Sequence, residues 1–174
     1  MPPNDVKALA SGRKLVVGVD GSSGSLAALR WAGREAISCG LDALAVIAWQ
    51  YPVVSRAGHG VPRGRHPGVV AEEVLVSTLA EAGIDVSRTL VTSAVIEGHP
   101  AAVLMQLAKH AELLVIGARG HGSICGALLG SISQYVAVGA ACPVIVVTPA
   151  HRGQTHDTVF RLPPCSVTTP APVG

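Results

Sequence analysis

The feature that most constrains this chain is a set of short, almost continuously apolar runs, each bounded by Gly, Pro or charge: Lys14 to Asp20 (KLVVGVD), Leu44 to Trp49, Leu113 to Gly117 and Pro143 to Thr148. A strand with one wet face alternates apolar and polar residues, so runs without alternation predict strands covered on both faces, the habit of parallel sheets. Between them lie stretches with helical spacing. Leu26 to Cys39 carries Leu29, Trp31, Ala32, Ala36 and Ile37 as its apolar stripe, with Gly40 placed to stop it. Val69 to Ala82 would turn Val70, Val74, Leu75 and Leu79 inward and end at Gly83. Val86 to Val95 reads as a further strand. Pro100 suits the first turn of a helix continuing through Ala101 to His110, with Val103, Leu104, Leu107 and Ala108 apolar, and Ser131 to Ala140 supplies the last helix. Strands and helices thus alternate from end to end. That order predicts an α/β fold, a five-stranded parallel doubly wound sheet with right-handed crossovers and helices on both faces.

With 174 residues the chain has room for one ordinary domain, and 49% apolar against 14% charged residues excludes disorder as a description of the whole. No apolar run approaches the roughly 18 residues of a membrane span, and Met1 to Lys14 lacks the apolar block of a secretory signal. The expectation is a cytoplasmic protein without a membrane partner. Thirteen basic residues against eleven acidic ones give a net charge of +2 with no dense basic run, and aromatics are 3%, which leaves neither a phosphate-neutralising surface nor a stacking platform for nucleic acid. Cys39, Cys125, Cys142 and Cys165 show no zinc spacing and read as reduced thiols. Gln50 to Gly68, rich in Pro, Gly, His and Arg, reads as a long surface loop, and 150–174 as a Pro-rich tail after a domain spanning 13–149.

Open parallel sheets bind ligands beyond the carboxyl ends of their strands, where the winding reverses. Two segments there are built unusually. Asp20-Gly21-Ser22-Ser23 follows the first strand. Gly117 to Ser131, GARGHGSICGALLGS, follows the fourth and places five glycines among its first 14 residues, about one in three against a usual share of roughly one in fourteen. Glycine lets the backbone turn successive N–H groups toward an anion, and the segment ends at the start of a helix, where unpaired donors, the dipole and the Ser131 and Ser133 hydroxyls favour negative charge. The dipole contributes only about 0.3–1 kcal/mol, so several donors must act together on a phosphate. A Walker-type G-x-x-x-x-G-K-[ST] is absent, and Gly120-His-Gly122-Ser-Ile-Cys-Gly126 fits a dinucleotide fingerprint poorly because it follows the fourth strand and no acid lies about 20 residues on. Charge on a bound phosphate would then be balanced by Arg119 and His121 together with a divalent metal.

Gly117-x-x-Gly120, nine residues and Gly130-Ser131 together reproduce the G-x2-G-x9-G-[ST] pattern of the universal stress protein family. Val17-Gly-Val-Asp20-Gly-Ser-Ser, Gly98-His-Pro100, Leu129-Gly-Ser-Ile-Ser-Gln-Tyr-Val136 and Ala141-Cys-Pro-Val-Ile-Val-Val147 resemble the same family, over about residues 13–149. The resemblance implies a Rossmann-like sheet of order 3-2-1-4-5, similar to adenine nucleotide alpha hydrolases, that binds ATP, often with Mg2+, and forms a homodimer through its last strand, here Val144 to Val147. It also implies that the backbone at Gly18, Val19 and Ala48 meets adenine. Asp20 would lie close to the nucleotide, and Ile116, Gly117, Arg119, Gly120, Gly130, Ser131, Ile132 and Ser133 would surround ribose and phosphates. A carboxylate beside phosphates is repulsive unless it accepts ribose hydroxyl hydrogens or holds the metal, and either role suits Asp20.

Other reactive side chains have ordinary readings. His59 and His66 belong to the surface loop, Cys125 to the glycine-rich segment as a small filler, and Cys142 to the core; Trp49 and Tyr51 either border the adenine pocket or line the loop. No hydrolytic triad can be assembled around Ser131. The expected function is a nucleotide-dependent regulatory protein of stress adaptation rather than an enzyme. The alternatives are slow ATP hydrolysis and a ligand-free dimerising module.

Overall fold

The computed structural model describes residues 9, 14–51, 65–85, 90–120, 129–150 and 157–164. The elements follow in the order β1 (Lys14–Gly18), α1 (Ser23–Cys39), β2 (Asp42–Trp49), α2 (Pro67–Glu81), β3 (Val91–Glu97), α3 (Pro100–Ala108), β4 (Leu113–Gly117), α4 (Ser131–Gly139), β5 (Val144–Thr148) and β6 (Thr158–Leu162). They form one sheet of order β3-β2-β1-β4-β5-β6. The first five strands are parallel, in the expected 3-2-1-4-5 arrangement.

The apolar runs fold as strands because both sides of the sheet are covered. On one side Val16, Leu44, Val46, Leu114, Ile116, Val144 and Val146 pack with α3 and α4. On the other Leu15, Val17, Ala43, Ala45, Ile47, Val115, Ile145 and Val147 pack with α1 and α2. Alternate residues of β1, β2, β4 and β5 therefore enter different cores, and the middle of the sheet is shielded from water on both faces.

Several boundaries and faces differ from the sequence reading. β3 begins at Val91, and Val86 to Arg88 and Thr89 lie outside the described residues. Its pattern is only half buried, with Thr92 and Ser93 exposed, so it lacked the dense apolar signal of its neighbours. Ile37 is 71% exposed rather than part of the α1 stripe, which runs through Ala28, Leu29, Ala32 and Ala36. Val70 is also exposed, because α2 starts at Pro67 and turns Ala71, Leu75, Thr78 and Leu79 inward.

The largest correction concerns the carboxyl-terminal part. The sequence reading ends the sheet at β5 and treats everything after Pro149 as a tail, but Thr158–Leu162 adds a sixth strand antiparallel to β5, from Val144 opposite Leu162 to Thr148 opposite Thr158. The edge assigned to a second copy, Val144 to Val147, is therefore covered by the same chain.

Candidate functional site

β1 and β4 are neighbours whose following segments diverge to opposite faces of the sheet, which opens a crevice at their carboxyl ends. A cavity of about 340 Å3 occupies it. All twelve residues singled out in the sequence line it: Gly18, Val19, Asp20, Ala48, Ile116, Gly117, Arg119, Gly120, Gly130, Ser131, Ile132 and Ser133. The structure adds Ser22, Ser25, Val46, Pro100, Leu104 and Leu129. Val46 could have been found from Ala48, since residues two apart on a strand share a face. Leu104 lies on the inward stripe of α3, whose sequence offers nothing to separate a cavity wall from ordinary core.

The cavity has two chemically different ends. Val46, Ala48, Pro100, Leu104 and Ile116 make an apolar slot over the sheet, whereas Asp20, Arg119, Gly120, Gly130 and Ser131 make a polar end rich in backbone. At the slot, Val19 N–H donates to the Val46 carbonyl (2.8 Å) and so fixes the chain leaving β1 against β2.

The polar end is held by a short network. Asp20 Oδ1 accepts from Ser22 N–H (3.0 Å) and from Ser22 Oγ (2.6 Å). Ser22 also caps α1, its Oγ accepting from Ser25 N–H at 3.2 Å. A Cβ on Gly24 would collide with the Arg119 carbonyl oxygen, and one on Gly117 with the Gly24 backbone. Only two glycines facing each other let the first turn of α1 touch the end of β4. A Cβ on Gly120 would likewise run into Asp20 Oδ2, so the carboxylate lies directly against the glycine-rich segment.

Across the cavity, Gly130 N–H donates to the Ala118 carbonyl (2.8 Å), which brings the start of α4 beside β4. Gly130 is the N-cap residue and makes no side-chain cap bond, so the first-turn N–H groups of α4 are left to whatever enters the cavity. Ser131 is exposed at that turn. Ser133 is buried, and its hydroxyl donates to the Gly117 carbonyl at 2.8 Å. The sequence reading used both hydroxyls as phosphate donors; the structure spends the Ser133 proton on joining α4 to β4 and leaves Ser131 for a ligand.

Trp49 lies on the opposite face of the sheet. It makes edge-on contacts with Tyr51 (centroids 5.4 Å apart) and His66 (4.9 Å) and belongs to the α1/α2 layer, so it lines the loop side rather than the cavity. Cys142 is buried, and burial pushes its thiol up to about 11. His59, His121, Cys125 and Cys165 lie outside the described residues. Among the described residues no three His, Cys, Asp or Glu side chains cluster as a metal site, and no helix is long and apolar enough to cross a membrane.

The sequence profile of the Universal stress protein family matches residues 12–148. The chain belongs to the universal stress protein family. A universal stress protein of Mycobacterium tuberculosis is 38% identical over 133 residues, which cover 76% of this chain and 44% of that protein. One from Mycolicibacterium smegmatis is 32% identical over 139 residues, covering 78% and 45%. The chain thus spans less than half the length of these curated relatives. Among solved structures, a universal stress protein in complex with cAMP is 27% identical with a TM-score of 0.56, over 80% of this chain and 99% of that one. A universal stress protein family protein from Arabidopsis thaliana with AMP bound, 20% identical with a TM-score of 0.53 over 82% and 95%, shares the fold.

Proposed function

We propose that this chain binds an adenine nucleotide in the crevice between β1 and β4 and that occupancy of the crevice is its regulatory signal. One observation carries the reading: a single cavity joins an apolar slot to the uncapped first turn of a helix, the arrangement needed to hold a flat base and an anion at once. Adenine enters the slot formed by Val19, Val46, Ala48, Leu104 and Ile116. The phosphates meet the first-turn N–H groups of α4, Ser131, Gly130 and Arg119. The cAMP complex of the 27% identical family member supports the class of ligand.

ATP with Mg2+ is the nucleotide the sequence resemblance favours. The donor set fits such a metal through Asp20, the one carboxylate among the described residues of the cavity lining, since Mg2+ is commonly held by one or two carboxylates plus substrate phosphates and water. Bound there, the metal would neutralise phosphate charge. Without it, Asp20 faces the ribose hydroxyls, and its bond from Ser22 N–H fixes its direction.

The role is that of a binding protein, with hydrolysis limited to what an incidentally aligned water allows. The test is mass analysis of small molecules released from the purified protein by denaturation, followed by calorimetric titration with ATP, AMP and cAMP, each with and without Mg2+. Release of an adenylate, or its saturable binding to one site per chain, is the expected result. An empty protein that binds none of the three would sink the proposal, and turnover well above about one per minute, against an enzyme median near 10 per second, would make it an enzyme instead.

A further inference from the structure

α2 and α3 begin with the same dipeptide. His66-Pro67 opens the first and His99-Pro100 the second, each with histidine as the N-cap residue and proline in the first turn. The ring of His99 makes no cap bond. That of His66 does, its Nδ1 accepting from Gly68 N–H at 3.1 Å.

The backbone explains why Gly68 needs a side chain. Pro67 has no N–H, and the Val69 and Val70 N–H groups both donate to the His66 carbonyl, at 2.9 and 3.2 Å. Gly68 N–H is the remaining donor of the first turn, and the imidazole meets it. Aromatic neighbours hold the ring there: Trp49 lies 4.9 Å away at 70° and Tyr51 5.7 Å away at 82°, both edge-on. A Cβ on Gly68 would come within 3.1 Å of both His66 Nδ1 and Trp49 Cε2, so helix start, imidazole and indole fit together because that atom is absent.

An acceptor at Nδ1 also fixes the charge of the ring. Neutral imidazole carries one lone pair and one N–H, so the proton sits on Nε2 while Gly68 is capped, whereas imidazolium has donors at both nitrogens and accepts nothing. Protonation therefore sets two donors face to face and puts a positive charge at the positive end of the α2 dipole. Trp49 and Tyr51 attract a cation as well as a neutral ring, so what is given up is the cap rather than the aromatic contact. Histidine makes this change between about pH 5 and 8, and His66 is exposed, so water reaches it.

The other titratable groups on this side are the Tyr51 phenol, Arg65 with its partner Glu73, Glu72 of α2, and Glu97, which stands opposite Trp49 on β3. From α1, Arg30 reaches the Glu81 carbonyl at the far end of α2. Carboxylates, guanidinium groups and phenols ordinarily keep their charge over that range, which leaves the imidazole as the group that changes.

We infer that His66 is a pH-sensitive fastening between the start of α2 and the end of β2, closed when the ring is neutral and open when it is charged. Tyr51 and His66 bracket residues 52–65, so the fastening also sets how firmly the two ends of that segment are held together, on the face of the sheet away from the cavity.

Amide exchange with water at Gly68, measured by NMR on the full chain from about pH 8 to about pH 5 and divided by the unstructured rate at each pH, tests it, with the His66 ring signals followed in parallel. The expected result is a rise of about fivefold or more as the ring takes up its proton, the worth of one ordinary hydrogen bond. Ala101, the equivalent position of α3, should not follow His99. His66→Asn supplies an acceptor that does not titrate and should keep Gly68 protected throughout, and His66→Ala should leave it open throughout. Gly68 equally protected beside a charged and a neutral ring overturns the inference. So does a response that survives in both variants, which would assign it to another group, or equal loosening at Ala101, which would make the cause general unfolding.

Discussion

Asp20 is the residue on which the polar end of the cavity turns. It is exposed and oriented by Ser22, so its removal is expected to change the site while the fold is kept. Asp20→Ala should weaken adenine nucleotide binding by about tenfold or more, the usual loss for a hydrogen bond to a charged group, while the far-ultraviolet circular dichroism stays the same. Unchanged affinity by calorimetry would remove Asp20 from the site. Cys142 shows the opposite logic. Its thiol is buried, with a pKa raised to about 11 by desolvation, so at pH 8 it carries almost no thiolate. With Cys125 and Cys165 replaced by Ser, an aromatic disulfide reagent should titrate only the exposed Cys39 in the native protein, and both thiols after denaturation. Rapid native reaction of two thiols would show that the Cys142 pocket opens.

At the scale of elements, the decisive contact is the one between the first turn of α1 and the end of β4. Gly24→Ala forces a methyl group into the Arg119 carbonyl, and overpacking of this kind costs about 1–3 kcal/mol. The urea midpoint should fall accordingly, and nucleotide affinity with it, because Arg119 and Gly120 move as α1 recoils; an unaltered midpoint would mean that the helix shifts freely. This contact also shows where the sequence was legible. Gly117, Gly120 and Gly130-Ser131 could be read because glycine enrichment marked the segment and their spacing resembles the family's pattern, and β1, β2, β4 and β5 because burial on two faces writes an unbroken apolar run. β3 was placed early because Thr92 and Ser93 face water and dilute its signal. β6 was missed for the same reason in stronger form: it is short, exposed along most of its length and flanked by prolines, so nothing separates its sequence from that of a tail. The second role of Ser133 was hidden too, since its partner is a main-chain carbonyl sixteen residues away.

For the molecule as a whole, a ligand that binds only the folded state adds its binding free energy to the stability. At a free nucleotide concentration about 100 times the dissociation constant the gain is about 2.7 kcal/mol, which for a chain of this size raises the melting temperature by roughly 5–10 °C. Scanning calorimetry with and without the nucleotide identified by mass analysis checks this, and no rise at saturating ligand would contradict a site formed by the native fold. The two layers of the sheet should respond unequally, since the cavity belongs to the α3/α4 side and the Trp49, Tyr51 and His66 rings to the other. The Ser133 bond to Gly117 gives that inequality a direction. It pins the front of a nine-residue rod to the floor of the crevice, while the rear of the same rod, about 8 Å along the axis from Ser133, carries the exposed Val138. A helix this short has little slack, so a tilt imposed at its amino end by a bound anion would be carried to its exposed carboxyl end.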